Sequence, residues 1–196
     1  MLNWPGAFFK TSATNFMNKA TNLKTPFLLR LYLGLARVSA PLWSGALAYR
    51  KRIGKEHPQR YREKLGHIIT QRPAGDLIWF HAVSVGEALA LRSVIADLTA
   101  ENPQTHVLLT TSTTGSLEAL NRIGLPDNTL HQFAPIDQPA AMARFLTHWS
   151  PSLIVFAERD FWPGMITWSA DWAAQNNRIV IFVNSRMSDR SYNRRK

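Results

Sequence analysis

From residue 76 onward the chain alternates between two hydrophobic rhythms. Short apolar runs recur: L-I-W-F-H-A from Leu77, H-V-L-L-T-T from His106, L-H-Q-F-A-P from Leu130, L-I-V-F-A from Leu153 and I-V-I-F-V from Ile179. Their starts lie 29, 24, 23 and 26 residues apart. Between them apolar residues return every third or fourth position, over 86–100, 115–123, 138–148 and 162–175. Strands alternating with helices at this interval predict βαβ units and a doubly wound parallel sheet, an α/β fold of Rossmann-like type. The runs are apolar at successive positions, as expected of strands covered on both faces. No internal repeat or low-complexity tract interrupts the pattern.

The first third of the chain reads differently. Residues 1–25 are rich in Asn, Thr and Lys with weak periodicity, which predicts a loosely ordered tail. Residues 26–66 carry long aliphatic and aromatic side chains from Pro26 to Tyr49, then the basic run R-K-R-I-G-K from Arg50. Arg30, Arg37 and Pro41 break the apolar stretch, so no run of about 18 residues is available to cross a bilayer. An amphipathic helix or helix pair lying in a membrane interface fits this pattern. The alternative is a helix packed on its own domain. No small-residue cleavage site follows a short apolar core, so the segment is not a signal peptide.

Charge sharpens the division. Twelve Lys and Arg in residues 1–64 meet two acids, Glu56 and Glu63, so the whole net charge of +10 resides there. The remaining 132 residues hold eleven charges of each sign. A basic segment of this kind meets something anionic. Its cations stand among aliphatics rather than among stacking aromatics and polar groups, which favours a phospholipid surface over nucleic acid. The 196 residues, 45% of them apolar, suffice for one ordinary domain with an appendage. There is no cysteine, which removes disulfides, thiolate chemistry and Cys-based metal sites.

Polar and small residues gather where each strand should end. They are H-A-V-S-V-G-E (His81 to Glu87), T-T-S-T-T-G-S (Thr110 to Ser116), A-P-I-D (Ala134 to Asp137), E-R-D-F-W-P (Glu158 to Pro163) and N-S-R-M-S (Asn184 to Ser188). Ligands of such sheets sit at these carboxyl ends. Ser84, Gly86 and Glu87 make a strand-to-helix corner whose first N–H groups suit a phosphate or carboxylate, and Thr114, Gly115 and Ser116 repeat the arrangement one unit on. Taken alone, each corner is also an ordinary helix cap. The first is neither G-x-G-x-x-G nor G-x-S-x-G, so dinucleotide binding and acyl hydrolysis gain no support. Glu158, Arg159 and Asp160 put three charges at a buried strand end, which requires pairing or a solvated cleft. Arg186 adds a cation at the same rim. Glu63, in R-Y-R-E-K-L-G, taken by itself is a surface ion-pair residue.

Together these pieces resemble the Kdo transferases, the 3-deoxy-D-manno-octulosonic acid transferases of lipopolysaccharide assembly. E-K-L-G, H-A-V-S-V-G-E, T-G-S, E-R-D-F-W-P and N-S-R-M-S-D-R-S occur in that order, and the likeness covers residues 40–193. The resemblance implies the N-terminal, acceptor-binding half of a two-domain GT-B glycosyltransferase, with 67–196 as its Rossmann-like domain and a C-terminal donor domain absent. It implies an inverting transfer of Kdo from CMP-Kdo to a lipid A precursor at the cytoplasmic face of the inner membrane, the enzyme being peripheral or monotopic there. Glu63 would be the general base. Glu158 and Asp160 would be the second carboxylate pair, Asp160 standing where the family commonly has Glu. His81, Ser84, Gly86, Glu87, Thr114, Gly115, Ser116 and Arg186 would bind the acceptor or its anionic groups. No cofactor or metal is implied beyond CMP-Kdo as donor substrate. Two other readings stay open: another GT-B enzyme acting on a membrane lipid, and a non-catalytic membrane-docking module.

Overall fold

A computed structural model describes residues 26–157 and 162–183. The chain divides into two compact units, 1–32 and 33–196. Of the first, the described part is the start of helix α1 (Phe27–Val38), whose Phe27, Leu28 and Leu31 are exposed.

The second unit carries a five-stranded sheet. In chain order its elements are α2 (Ala40–Arg52), a 3-10 turn (Tyr61–Leu65), β1 (Leu77–His81), α3 (Val85–Glu101), β2 (His106–Thr111), α4 (Thr114–Ile123), β3 (Thr129–Phe133), α5 (Pro139–Trp149), β4 (Leu153–Ala157), α6 (Pro163–Gln175) and β5 (Ile179–Val183). The strands lie in the order β3-β2-β1-β4-β5 and every pairing is parallel. Each predicted run became a strand, with successive side chains pointing to opposite faces, and in β1, β2 and β4 both faces are covered. Leu77 and Trp79 enter one core with Leu108, Phe145, Trp149 and Ile154. Phe80 enters the other with Ile95, Val107, Leu109, Leu120 and Val155.

The strand order reverses at β1. The chain steps outward from β1 to β2 to β3, then returns to place β4 on the other side of β1. In open parallel sheets the crevice at this reversal, beyond the strands' carboxyl ends, is where ligands sit. Here His81 closes β1 alongside Phe156 of β4. The first corner, H-A-V-S-V-G-E, leaves the sheet at that point.

Two expectations need adjustment. The fifth run is not buried on both faces: β5 is an edge strand with Ile179 55% exposed and Ile181 and Phe182 also open. An edge strand has one neighbour, and helices cover it incompletely. The basic segment is also not helical throughout. Pro41 sits in the first turn of α2 and Arg50, Lys51 and Arg52 end it, cations being favourable at a helix C-terminus. Residues 54–60 then run irregularly to the 3-10 turn. Gly66 ends that turn at φ +77°, and a Cβ there would stand 2.7 Å from the Ala141 carbonyl oxygen. A backbone bond ties the turn to the segment that follows β3, Ile136 N–H donating to the Lys64 carbonyl at 2.9 Å. Among the described residues no helix is long and apolar enough to cross a membrane.

Candidate active site

The corner after β1 is built around Glu87. Ser84 caps α3, its hydroxyl oxygen accepting from Glu87 N–H at 3.2 Å and its O–H donating to Glu87 Oε1 at 3.0 Å. Glu87 Oε2 accepts from Val83 N–H at 2.7 Å and from Ser84 N–H at 3.5 Å. This reciprocal cap satisfies N–H groups that a helix start leaves unpaired. The anion expected at this corner is therefore the protein's own: the Glu87 carboxylate occupies the N-terminus of α3. Glu87 is half-buried and Ser84 and Gly86 are exposed. A Cβ on Gly86 would meet nothing closer than Ser84 Oγ at 4.0 Å, so the space over this corner is open.

His81 lies beneath the corner rather than in it. It is buried, its ring packs edge-on to Phe156, and Nδ1 is 3.0 Å from Thr110 Oγ1. Trp79 Nε1–H donates to the same hydroxyl at 2.8 Å. Burial pushes the imidazole pKa down to about 4, against the bond at Thr110. A neutral His81 would contribute to an acceptor or its anionic groups through a hydrogen bond rather than through charge. Its Nε2 has no partner among the described residues.

The second corner is a cap as well. Thr113 caps α4, accepting from Ser116 N–H at 3.2 Å, and its hydroxyl lies 2.9 Å from Ser116 Oγ. Ser116 is fully buried in this cap and unavailable to a ligand, whereas Gly115 is exposed with nothing within 4 Å of a Cβ. Thr114 is half-buried between them.

Glu63 is neither at the surface nor open. It is 7% exposed. Arg60 clamps it through Nε to Oε1 at 2.6 Å and Nη2 to Oε2 at 3.1 Å, and Phe133 N–H donates to Oε2 at 2.9 Å. Arg60 Nη2 also donates to the His131 carbonyl at 2.7 Å, and His131 Nε2 is 2.9 Å from Thr111 Oγ1. Burial first, and the Arg60 charge second, push the His131 pKa down to about 3. The carboxylate stitches the 3-10 turn to the carboxyl end of β3.

Other buried groups were not legible as functional. Glu56 accepts from Arg50 Nε at 2.7 Å and from Lys64 Nζ at 2.5 Å. Asp137 accepts from the N–H groups of Gly164 and Met165 at the start of α6. Arg50, Glu56, Lys64 and Asp137 edge a cleft of about 250 Å³ at the carboxyl end of the sheet, walled by Trp43, Leu47, Pro135, Ile136 and Trp162. The available signal was scarcity: two acids amid twelve cations will be paired. Glu158, Asp160 and Arg186 lie outside the described residues. Among the described residues no group of three or more His, Asp or Glu could hold a metal ion.

A family model described as 3-deoxy-D-manno-octulosonic-acid transferase matches residues 59–196. The chain belongs to the Kdo transferase family. It is 40% identical over 169 residues to a probable mitochondrial 3-deoxy-D-manno-octulosonic acid transferase of Arabidopsis thaliana, covering 86% of this chain and 36% of that protein. It is 33% identical to the 3-deoxy-D-manno-octulosonic acid transferase of Rickettsia bellii over 84% of this chain and 38% of the relative. The Haemophilus influenzae enzyme of the same name is 30% identical over 85% of this chain and 35% of the relative. The chain thus spans little more than a third of the length of these curated Kdo transferases. Its parallel sheet with a reversal at β1 is consistent with a Rossmann-like glycosyltransferase domain.

Proposed function

We propose that this chain forms the acceptor half of a GT-B enzyme transferring Kdo from CMP-Kdo to a lipid A precursor at the cytoplasmic face of the inner membrane. The acceptor's sugar hydroxyl attacks the anomeric carbon of Kdo, the bond to the CMP phosphate breaks, and the configuration inverts. A carboxylate must take the hydroxyl's proton in that step. The family resemblance points to Glu63 for this role. Its burial and its clamp by Arg60 and Phe133 suit a structural tie, because protonation there would undo a buried ion pair.

Glu87 is the better base. It is half open, its donors are neutral, and it sits in the first turn of α3, where the chain leaves β1 at the reversal of strand order. That position is the observation that carries the proposal. The capping box holds the carboxylate in one orientation, so little ordering is needed when the hydroxyl arrives. The helix starts around it suit anionic substrates: α3 and α6 already hold carboxylates, Glu87 and Asp137, while α4 and α5 are capped by neutral Thr113 and Gln138. Thr114 and Gly115 therefore line the helix start with room for a phosphate or a Kdo carboxylate. The basic segment ending α2 supports docking on an anionic bilayer surface.

The test is a chimera in which residues 26–196 replace the matching stretch of the Rickettsia bellii relative. It is supplied with radiolabelled CMP-Kdo and lipid A precursor. Labelled lipid should form, and Glu87→Gln should cut its rate by about 10² or more. A fully folded chimera that forms no labelled lipid would overturn the reaction, and unaltered turnover in Glu87→Gln would remove the base.

A further inference from the structure

The cleft at the carboxyl end of the sheet is separate from the Glu87 corner, and its lining does not suit a sugar. Trp43, Ala46, Leu47 and Arg50 come from one face of α2 at helical spacing, and Pro135, Ile136 and Trp162 oppose them. The acids at its edge are already paired. Glu56 takes Arg50 Nε and Lys64 Nζ, and Asp137 takes two N–H groups of α6. A sugar would find few unspent donors or acceptors there, whereas a hydrocarbon needs none.

We propose that this cleft receives one alkyl chain of an anionic amphiphile whose headgroup rests on Arg50. Charge complementarity argues for the head. Among the described residues Arg50 pairs through Nε alone, to Glu56, and its side chain is 48% exposed. Lys51, Arg52 and Lys55 follow it and are exposed. Between residues 50 and 64 seven cations meet two acids, and both acids are tied within the fold. The tail is argued from the walls, and from Leu42 and Tyr49, which lie exposed on the adjoining stripe of α2. An apolar stripe leading to an apolar cleft with cations at its end matches a lipid entering from a membrane surface. On the reading above, the amphiphile is the acceptor lipid. Only the ownership of the chain rests on that reading.

The probe is dodecyl phosphate brominated at mid-chain, added to the 196-residue protein below its micelle concentration. Bromine quenches tryptophan on contact, and Trp43 and Trp162 flank the cleft. Quenching should saturate and should lose amplitude in Trp43→Phe. Affinity should fall at least fivefold in Ala46→Phe and in Ser112→Leu, since both residues line the cleft and the larger side chains would fill it. Far-ultraviolet circular dichroism verifies that each variant is folded. Brominated dodecyl maltoside, with the same tail and a neutral head, should bind several-fold more weakly. Quenching that does not saturate, or that ignores both filling variants, would overturn the proposal. Transfer by the chimera without saturable quenching would sink the cleft assignment alone. Saturable quenching without transfer would sink the reaction alone.

Discussion

Glu63 and Glu87 stand at the carboxyl end of one parallel sheet, and the fold treats them in opposite ways. Each accepts hydrogen bonds on both oxygens. Glu63 takes them from a guanidinium and from a backbone amide 70 residues away, under cover of the protein. Glu87 takes them from its own helix cap and stays half open to solvent. The difference teaches that hydrogen-bond count does not separate a tie from a reagent. What separates them is the charge of the partner, the sequence distance bridged, and whether a substrate can reach an oxygen.

The widest gap between the two carboxylates should appear in stability. Glu63→Gln leaves the half-buried Arg60 guanidinium without its counter-charge and should lower unfolding stability by about 2 kcal/mol. Glu87→Gln preserves the cap's shape and should cost well under half of that. Urea midpoints of the two variants test this, and equal losses would erase the distinction.

Acid should then strike the buried His81 and the half-buried His131, one on each side. His131 beside Arg60 and His81 beneath Glu87 have folded pKa values of about 3 and about 4, below the ordinary 6.5. Between those limits the unfolded chain binds protons that the folded chain refuses, so stability is complete above about pH 6.5 and falls as pH drops. His131→Gln should remove roughly one proton from that slope. A urea midpoint that stays constant between pH 7.5 and 4.5 would contradict this.

Comparable or smaller effects follow at the two supporting turns. Gly66→Ala on the Glu63 side meets both a positive φ and the Ala141 carbonyl, and should cost about 2 kcal/mol. Ser84→Ala on the Glu87 side removes a cap and should cost about 1 kcal/mol. Thermal melts rank the two. A larger loss from Ser84→Ala would mean that the open corner, not the buried tie, bears more of the fold.

The sheet was legible because parallel strands covered on both faces spell themselves as apolar runs, and Ser84 announced its helix at the expected offset. The fifth run misled because an edge strand can be as apolar as a central one while leaving Ile179 exposed. The burial of Glu63 could not be read locally. Its partner amide belongs to Phe133, and only the folded sheet brings the 3-10 turn against β3. The same holds for Glu56 and Lys64, eight residues apart in sequence and in contact over a cleft formed mainly by other elements. His81 looked like an exposed polar end of a strand, but the central position of β1 in the sheet buries it.

The most direct measurement compares initial rates of Kdo transfer by the chimera carrying Glu63→Gln with those of the chimera carrying Glu87→Gln, at a temperature where both are folded. The account predicts that the Glu63 variant is faster by about 10² or more. Equal rates, or a slower Glu63 variant, would return the proton-accepting role to the buried carboxylate.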